Sequence, residues 1–248
     1  MTAIVAPAIL AIIPARYAST RFPAKPLADI GGKSMIQWVY TQASQSSKIS
    51  KVVVATDDRR IFDHARLFGA NVCMTSADHV SGTDRCFEAL TKQNEKFDYV
   101  INIQGDEPFI SPRQIDLLAG LLDGKTQLAT LAKKIEDEEG LNNPNVVKVV
   151  KNLDGEAMYF SRSVIPYLRN VDSKNTFFKH IGTYAYRCDV LEKITRLPQS
   201  SLEKAESLEQ LRWLENGYRI KVAETDEETI GVDTPEDLEK AKAFLKTR

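Results

Sequence analysis

The chain has 248 residues, enough for one large domain or a domain plus a lobe. Its 33 basic and 34 acidic side chains leave a net charge of −1, which argues against a broad nucleic-acid or membrane surface, while 43% hydrophobic and 27% charged residues suit a globular protein. Three scattered cysteines, Cys73, Cys86 and Cys188, form no CxxC pair; they exclude a disulfide framework, make a structural zinc site poorly supported, and fit reduced thiols in the cytoplasm.

The apolar start, Ile4 to Ile13, is interrupted by Pro7, lacks a basic leader and is too short to span a bilayer, so neither a signal peptide nor a membrane anchor is expected. Ala8 to Ile13 reads as a buried strand that ends at Pro14. The next segment carries three cations, Arg16, Arg21 and Lys25, between Pro14, Pro23 and Pro26, which restrict the backbone and pre-shape the loop. Fixed cations beyond the carboxyl end of a first strand suit a polyphosphate, although the segment alone reads equally well as a basic surface loop. Residues 28–32 form a turn, and Ser34 caps a helix to about Ser46. Gly32-Lys33-Ser34 imitates a phosphate-binding Walker loop, but Leu27 stands where its first glycine belongs.

Lys51–Thr56 is a second strand, followed by a helix to about Phe68 that Gly69 stops. Asn71–Met74 is a short third strand; a polar loop, Thr75 to Arg85, feeds a helix to about Lys92. Tyr99–Ile103 is a fourth strand ending at Gln104-Gly105-Asp106-Glu107-Pro108, and Ser111-Pro112 starts another helix. In the second half, strands are expected at 127–135, 146–150, 156–160 and 180–187, with an exposed excursion over 172–178. Leu202 to Asn216 reads as one amphipathic helix closed by Gly217, then a strand over 218–223 and a last helix after Thr234-Pro235-Glu236-Asp237. Alternating strands and helices predict an α/β fold with a mostly parallel sheet, and consecutive later strands a mixed part; the carboxyl ends of the strands then carry the ligand site.

Asp106 at a strand end and Asp233 just before a helix start would together make a Mg²⁺ site, because Mg²⁺ takes one or two carboxylates plus phosphate oxygens. A lone Asp in a turn more often bonds its own backbone, so it is the pair with the cationic loop that points to metal. His64, His79 and His180 lack metal-ligand spacing, and no nucleophile elbow occurs, which favours electrostatic over covalent catalysis.

The stretches Pro14–Leu27, Ser81–Arg85, Gln104–Pro108, Tyr159–Arg162 and Gly231–Leu238 together, in this order, resemble the CMP-KDO synthetases, the 3-deoxy-manno-octulosonate cytidylyltransferases. The resemblance implies a Rossmann-like nucleotidyltransferase fold, as one domain over 1–248 with a nucleotide-binding half to about 125, a sugar-binding and dimerisation part over about 126–230 and a metal-ligand turn with a closing helix over 231–248. It also implies a cytoplasmic homodimer that uses CTP and Mg²⁺ to activate the sugar acid KDO for lipopolysaccharide synthesis. By matching positions, Arg16, Ser19, Arg21 and Lys25 would hold the triphosphate; Ser81, Gly82, Thr83 and Gln104 would lie near the cytidine. Asp106 and Asp233 would bind Mg²⁺. Arg162, His180, Tyr184, Glu209 and Gln210 would face the sugar acid. Ala24 stands where many members have Gly, and Ser76 where many have Arg. A cytidylyltransferase for a related acid sugar such as 8-amino-KDO, a glycosyltransferase on the same fold, and a non-catalytic nucleotide-binding subunit remain as alternatives.

Overall fold

The computed structural model describes residues 6–18, 22–170 and 176–246. β1 (Ile9–Ala15) leads through the small hairpin β2 (Asp29–Ile30) and β3 (Lys33–Ser34) and helix α1 (Met35–Ala43) to β4 (Lys51–Thr56). Helix α2 (Arg59–Leu67) precedes β5 (Val72–Met74), and α3 (Gly82–Thr91) precedes β6 (Tyr99–Asn102). After α4 (Pro112–Ala119) come β7 (Leu128–Lys134), the short α5 (Glu138–Asn142), the antiparallel pair β8 (Lys148–Lys151) and β9 (Ala157–Ser161), and the long β10 (Phe178–Arg187). The chain closes with α6 (Cys188–Ile194), α7 (Ser201–Glu206), α8 (Glu209–Glu215), β11 (Ile220–Glu224) and α9 (Pro235–Lys246).

Among the described residues the main sheet runs β11-β7-β10-β6-β1-β4-β5, with β8 added on β10 and β9 on β8. Along the main path only β10 is reversed: it is antiparallel to β6 and β7, whereas the other neighbours pair in parallel. Alternation along β1 shows why both faces are covered. Ile9, Ala11 and Ile13 pack with α1, α2 and α4, while Leu10 and Ile12 pack with α3, α6 and α8. A third cluster, Ile30, Met35, Phe109, Val232 and Ala241, fixes the closing helix α9 beside β2.

The expected helix starts are present: Ser34 accepts from Gln37 N, Ser81 from Asp84 N, and Ser111 makes a full capping box with Gln114. Three expectations are corrected. β1 does not end at Pro14 but runs to Ala15. Ile103 N donates to Ile12 O on the β6 side, and the two-residue repeat turns Pro14 to that same side, beyond the end of β6. No ladder donor is needed there, so a proline nitrogen, which carries no hydrogen, is tolerated. The single helix over Leu202–Asn216 is two helices, α7 and α8, broken at Ser207 (φ 51°). Leu208, Leu211 and Leu214 keep their helical spacing because all three belong to α8 or its cap; α7 starts from its own capping box, Ser200 with Glu203. The segment between the strands expected at 127–135 and 146–150 also holds the short helix α5, capped by Asp137. Of the excursion over 172–178, residues 172–175 lie outside the described residues, and Phe178 already belongs to β10.

Candidate active site

The carboxyl ends of β1 and β6 and the first turn of α3 border a cavity of about 270 Å³. Arg16, Lys25, Ser81, Gly82, Gln104, Asp106 and Asp233 all line it. Arg21 and Ser19 lie outside the described residues.

Lys25 opens a short 3-10 turn, Lys25–Leu27, in the loop after β1. Ala24 N donates to Tyr17 O at 3.1 Å, closing the loop, and the Arg60 guanidinium lies 3.3 Å from the Tyr17 ring centroid. Ala24 itself sits in the left-handed region, φ 59° and ψ 17°, where its Cβ crowds the following carbonyl. A glycine suits that backbone better than an alanine. Ala24→Gly is expected to relieve about 1 kcal/mol of that strain, less the backbone entropy a glycine adds to the unfolded chain. A thermal melt that rises or holds checks it; a fall of several degrees would contradict the strain.

Lys25 Nζ is 2.8 Å from Asp106 Oδ2 and 3.0 Å from Asp233 Oδ1, and its side chain is only 14% exposed. Asp106 reaches this point because the chain turns directly off β6 at Gly105. A Cβ on Gly105 would stand 2.7 Å from Pro14 O, so only glycine lets the two strand ends approach. Val232 N donates to Asp106 O at 2.9 Å, tying the start of the closing segment to the same turn. The expected capping box then forms, Asp237 N donating to Thr234 Oγ1 and Thr234 N to Asp237 Oδ2, each at 3.2 Å, which leaves the Asp233 carboxylate directed to Lys25. Two hard carboxylate oxygens within reach of one cationic atom form a donor set that suits Mg²⁺. Next to Asp106, burial and then the Asp106 charge push the Glu107 carboxyl up to about 8, which leaves Glu107 mostly protonated at neutral pH.

Several lining residues were not singled out from sequence. His79 bonds Glu88 at 2.5 Å, and Arg85, 4% exposed, donates to Thr75 Oγ1 and to the Asp57 carboxylate. Burial opposes the charge on Glu88, but hydrogen bonds from Lys92, Ser76 N and His79 outweigh it and hold its pKa down at about 2. Ser76 thus serves the loop through its backbone, and its hydroxyl donates to Asp78. The signal for Arg85 was present in Ser81–Arg85; for His79 there was none, because its partner is fixed only by tertiary contact.

Of the expected sugar-facing residues, His180 and Tyr184 lie on β10, Glu209 and Gln210 on α8 and Arg162 directly after β9, and none lines this cavity. Thr83, buried under its rim, donates to Glu209 Oε2 at 2.8 Å, and burial raises the Glu209 pKa. Tyr184 stacks on Tyr186 and meets Trp213 edge to face, and Gln210 is buried. The Arg162 guanidinium is engaged by main-chain carbonyls, Glu206 O at 2.7 Å and Pro144 O at 3.1 Å, rather than by anything on the cavity. Gln104 links the two groups, lining the cavity while its amide donates to Gly182 O at 2.9 Å.

His180 lies between Phe160 and Tyr184, 2.9 Å from Thr130 Oγ1. Thr130 can give its proton only to a carbonyl, Ile181 O or Thr183 O, so the network assigns the imidazole proton to Nε2. Burial holds the His180 pKa down at about 3, and the ring is neutral. The unfolded chain takes up this proton below about 6.5, so the stability His180 contributes is complete above that pH and is lost as pH falls towards 3. His180→Asn is therefore expected to flatten the decline of the urea midpoint between pH 6.5 and 4; a decline as steep as that of the parent chain would contradict a buried neutral ring.

Residues 10–224 match the family described as cytidylyltransferase. The chain is 61% identical to the 3-deoxy-manno-octulosonate cytidylyltransferase of Cytophaga hutchinsonii, over 93% of this chain and 94% of that one. It is 58% identical to the enzyme of the same name from Parabacteroides distasonis, over 96% and 98%. A solved CMP:2-keto-3-deoxy-manno-octonic acid synthetase complexed with CTP superimposes with a TM-score of 0.92 at 46% identity, over 97% of this chain and 99% of that one. A 4-diphosphocytidyl-2C-methyl-D-erythritol synthase from Anaerococcus prevotii, 18% identical with a TM-score of 0.66, shares the fold. On sequence and structure alike, the chain belongs to the cytidylyltransferase family, among the 3-deoxy-manno-octulosonate cytidylyltransferases.

Proposed function

We propose that this chain activates 3-deoxy-D-manno-octulosonate with CTP, releasing pyrophosphate and forming CMP-KDO for lipopolysaccharide synthesis. The observation that carries the reading is the meeting of Arg16, Lys25, Asp106 and Asp233 around one cavity at the strand ends. The close similarity to named enzymes of that activity supports it. The anomeric hydroxyl of the sugar acid attacks the α-phosphorus of CTP in line, and the bond to the β-phosphate oxygen breaks. Catalysis of this kind is positioning and charge neutralisation. Lys25 and Arg16, with Arg21 and Ser19 of the same loop, hold the triphosphate and offset charge growing on the departing pyrophosphate. Ser81, Gly82, Thr83 and Gln104 frame the cytidine. Asp106 and Asp233 would hold Mg²⁺, which would neutralise phosphate charge and make the attacking hydroxyl more acidic. His180, Tyr184, Glu209 and Gln210 form the side that receives the sugar acid, reached past Gln104. The working form is a cytoplasmic homodimer.

Pyrophosphate release with CTP and Mg²⁺ across a panel of acid sugars tests this reading, with ATP, GTP and UTP as controls. Release that requires both CTP and KDO is expected. Preference for 8-amino-KDO would move the substrate to that analogue, and no release with any acid sugar would leave a nucleotide-binding subunit or a glycosyltransferase instead.

A further inference from the structure

We propose that Trp213 and Asn102 are specificity-determining residues for the sugar acid: the indole Nε1 of Trp213 donates to one of its hydroxyls, and the side-chain oxygen of Asn102 accepts from another. The inference deepens the function proposed above and rests on it for its substrate.

A group of buried polar atoms without partners carries the inference. Such atoms are rare in folded proteins, because a hydrogen bond left unmade away from water is costly. Among the described residues, Asn102 Oδ1, Tyr184 Oη and Trp213 Nε1 are three of six buried side-chain polar atoms that lack a hydrogen-bond partner. All three residues are almost wholly buried, and they belong to elements that meet in one place. Asn102 on β6 lies directly opposite Tyr184 on β10, and opposed residues of an antiparallel pair turn their side chains to the same face. The Trp213 ring on α8 stands edge to face against Tyr184 and Tyr186, 5.0 and 5.6 Å between centroids.

The chemistry of each atom fixes what it can take. Tyr186 Oη receives a hydrogen bond from the Asn102 amide, so the atom Asn102 has left is its oxygen, which only accepts. An indole nitrogen only donates, and a phenol does either. A donor, an acceptor and a phenol suit a polyhydroxylated ligand, whose hydroxyls both give and take protons; a carboxylate could not use the Asn102 oxygen. Helical spacing places Trp213 for this role. It lies four residues after Glu209 and three after Gln210, so the three side chains share one face of α8. One turn before Trp213, Glu209 accepts from Thr83, beside Gly82 of the cavity wall. Exchange of that bond for a sugar hydroxyl lets α8 give way and uncovers the partnerless atoms behind it. Hydroxyls that pair with them supply the bonds the closed arrangement lacks, and a sugar without the right hydroxyl leaves them unmade.

Two measurements on the full-length chain test this. The first assays pyrophosphate release by Trp213→Phe, which removes the indole N–H and keeps an aromatic ring, and by Asn102→Leu, which keeps the shape of the amide. The substrates are the sugar acid and analogues that each lack one hydroxyl. Each variant is expected to lower kcat/KM for the intact acid about tenfold, the worth of one hydrogen bond, with KM for CTP within about twofold. On one analogue, the one missing the hydroxyl that the removed group meets, parent and variant should agree within about twofold. An equal loss on the intact acid and on every analogue would mean a side chain that only packs, and would overturn the proposal, as would no loss at all. The second measurement titrates the parent chain, its two tryptophans labelled with ¹⁵N, with the sugar acid beside a non-hydrolysable CTP analogue. Trp38 Nε1 already donates to Ile30 O at 2.8 Å and serves as the fixed reference, and Trp213→Phe assigns the other signal by deleting it. The Trp213 indole proton is expected to move downfield as it gains an acceptor; an unmoved signal overturns the proposal. Should Asn102→Leu fail to fold, Trp213→Phe and the titration carry the decision. If the parent chain turns over no sugar acid, the functional reading fails by itself, and the titration with the same acids alone decides.

Discussion

Lys25→Ala is expected to lower turnover by about 10²–10³, the usual loss on removing a preorganised group aimed at transition-state charge. The argument begins with how the ammonium is held. Its side chain is 14% exposed, sits on a proline-braced turn and lies 2.8 and 3.0 Å from two carboxylates. Such a cation needs little reorganisation when charge develops on a departing pyrophosphate. Taking it away also leaves Asp106 and Asp233 beside each other without the cation that joins them. Lys25→Arg does not restore the site fully, because a broad planar fork cannot occupy the place of a compact ammonium between two carboxylates. Steady-state kinetics of pyrophosphate release decide the matter. The loss should fall on kcat more than on KM for CTP, and unchanged rates would remove Lys25 from the chemistry.

The second large effect is expected at the carboxylates. Asp106→Asn and Asp233→Asn should each reduce kcat by about 10²–10³, because a metal acting on phosphate oxygens is worth several kcal/mol of transition-state stabilisation. An amide keeps the shape of the side chain and loses the charge that holds a hard cation. The stability cost should be small, about 1 kcal/mol at most, since the carboxylates are 33% and 49% exposed and solvent screens their pairing with Lys25. Activity and stability are thereby separated: melting temperatures near those of the parent chain, together with weakened binding of Mn²⁺ in the presence of CTP by electron paramagnetic resonance, are the expected pair of results. An Asp233→Asn chain that keeps both its rate and its metal dependence would sink the role of that residue.

Some of this was legible along the chain. The apolar run at Ile9, the Lys51–Thr56 strand and the caps Ser34, Ser81 and Ser111 are local features, set by side-chain periodicity and by hydroxyls that satisfy open helix ends. The cationic loop and Asp106 could be named because strand ends of a parallel sheet share one edge, and Asp233 because the capping box of the last helix accounts for Thr234 to Asp237 but not for it. The break at Ser207 was hidden by leucines whose spacing continues past it, since periodicity reports which face is buried and not whether the backbone is continuous.

What the amino-acid sequence determined by itself is most of the strands and helix starts, the family and most of the chemistry-bearing groups. The tertiary structure alone decided how those groups are used. It brings Lys25 onto Asp106 and Asp233, 81 and 208 residues away along the chain, and gives His79 to Glu88. It also commits Arg162 to the carbonyls of a helix end. The reason is physical: periodicity and caps are written in neighbouring residues, whereas the partner of a charged side chain is chosen by whichever opposite charge or open carbonyl the packed sheet carries to within about 3 Å.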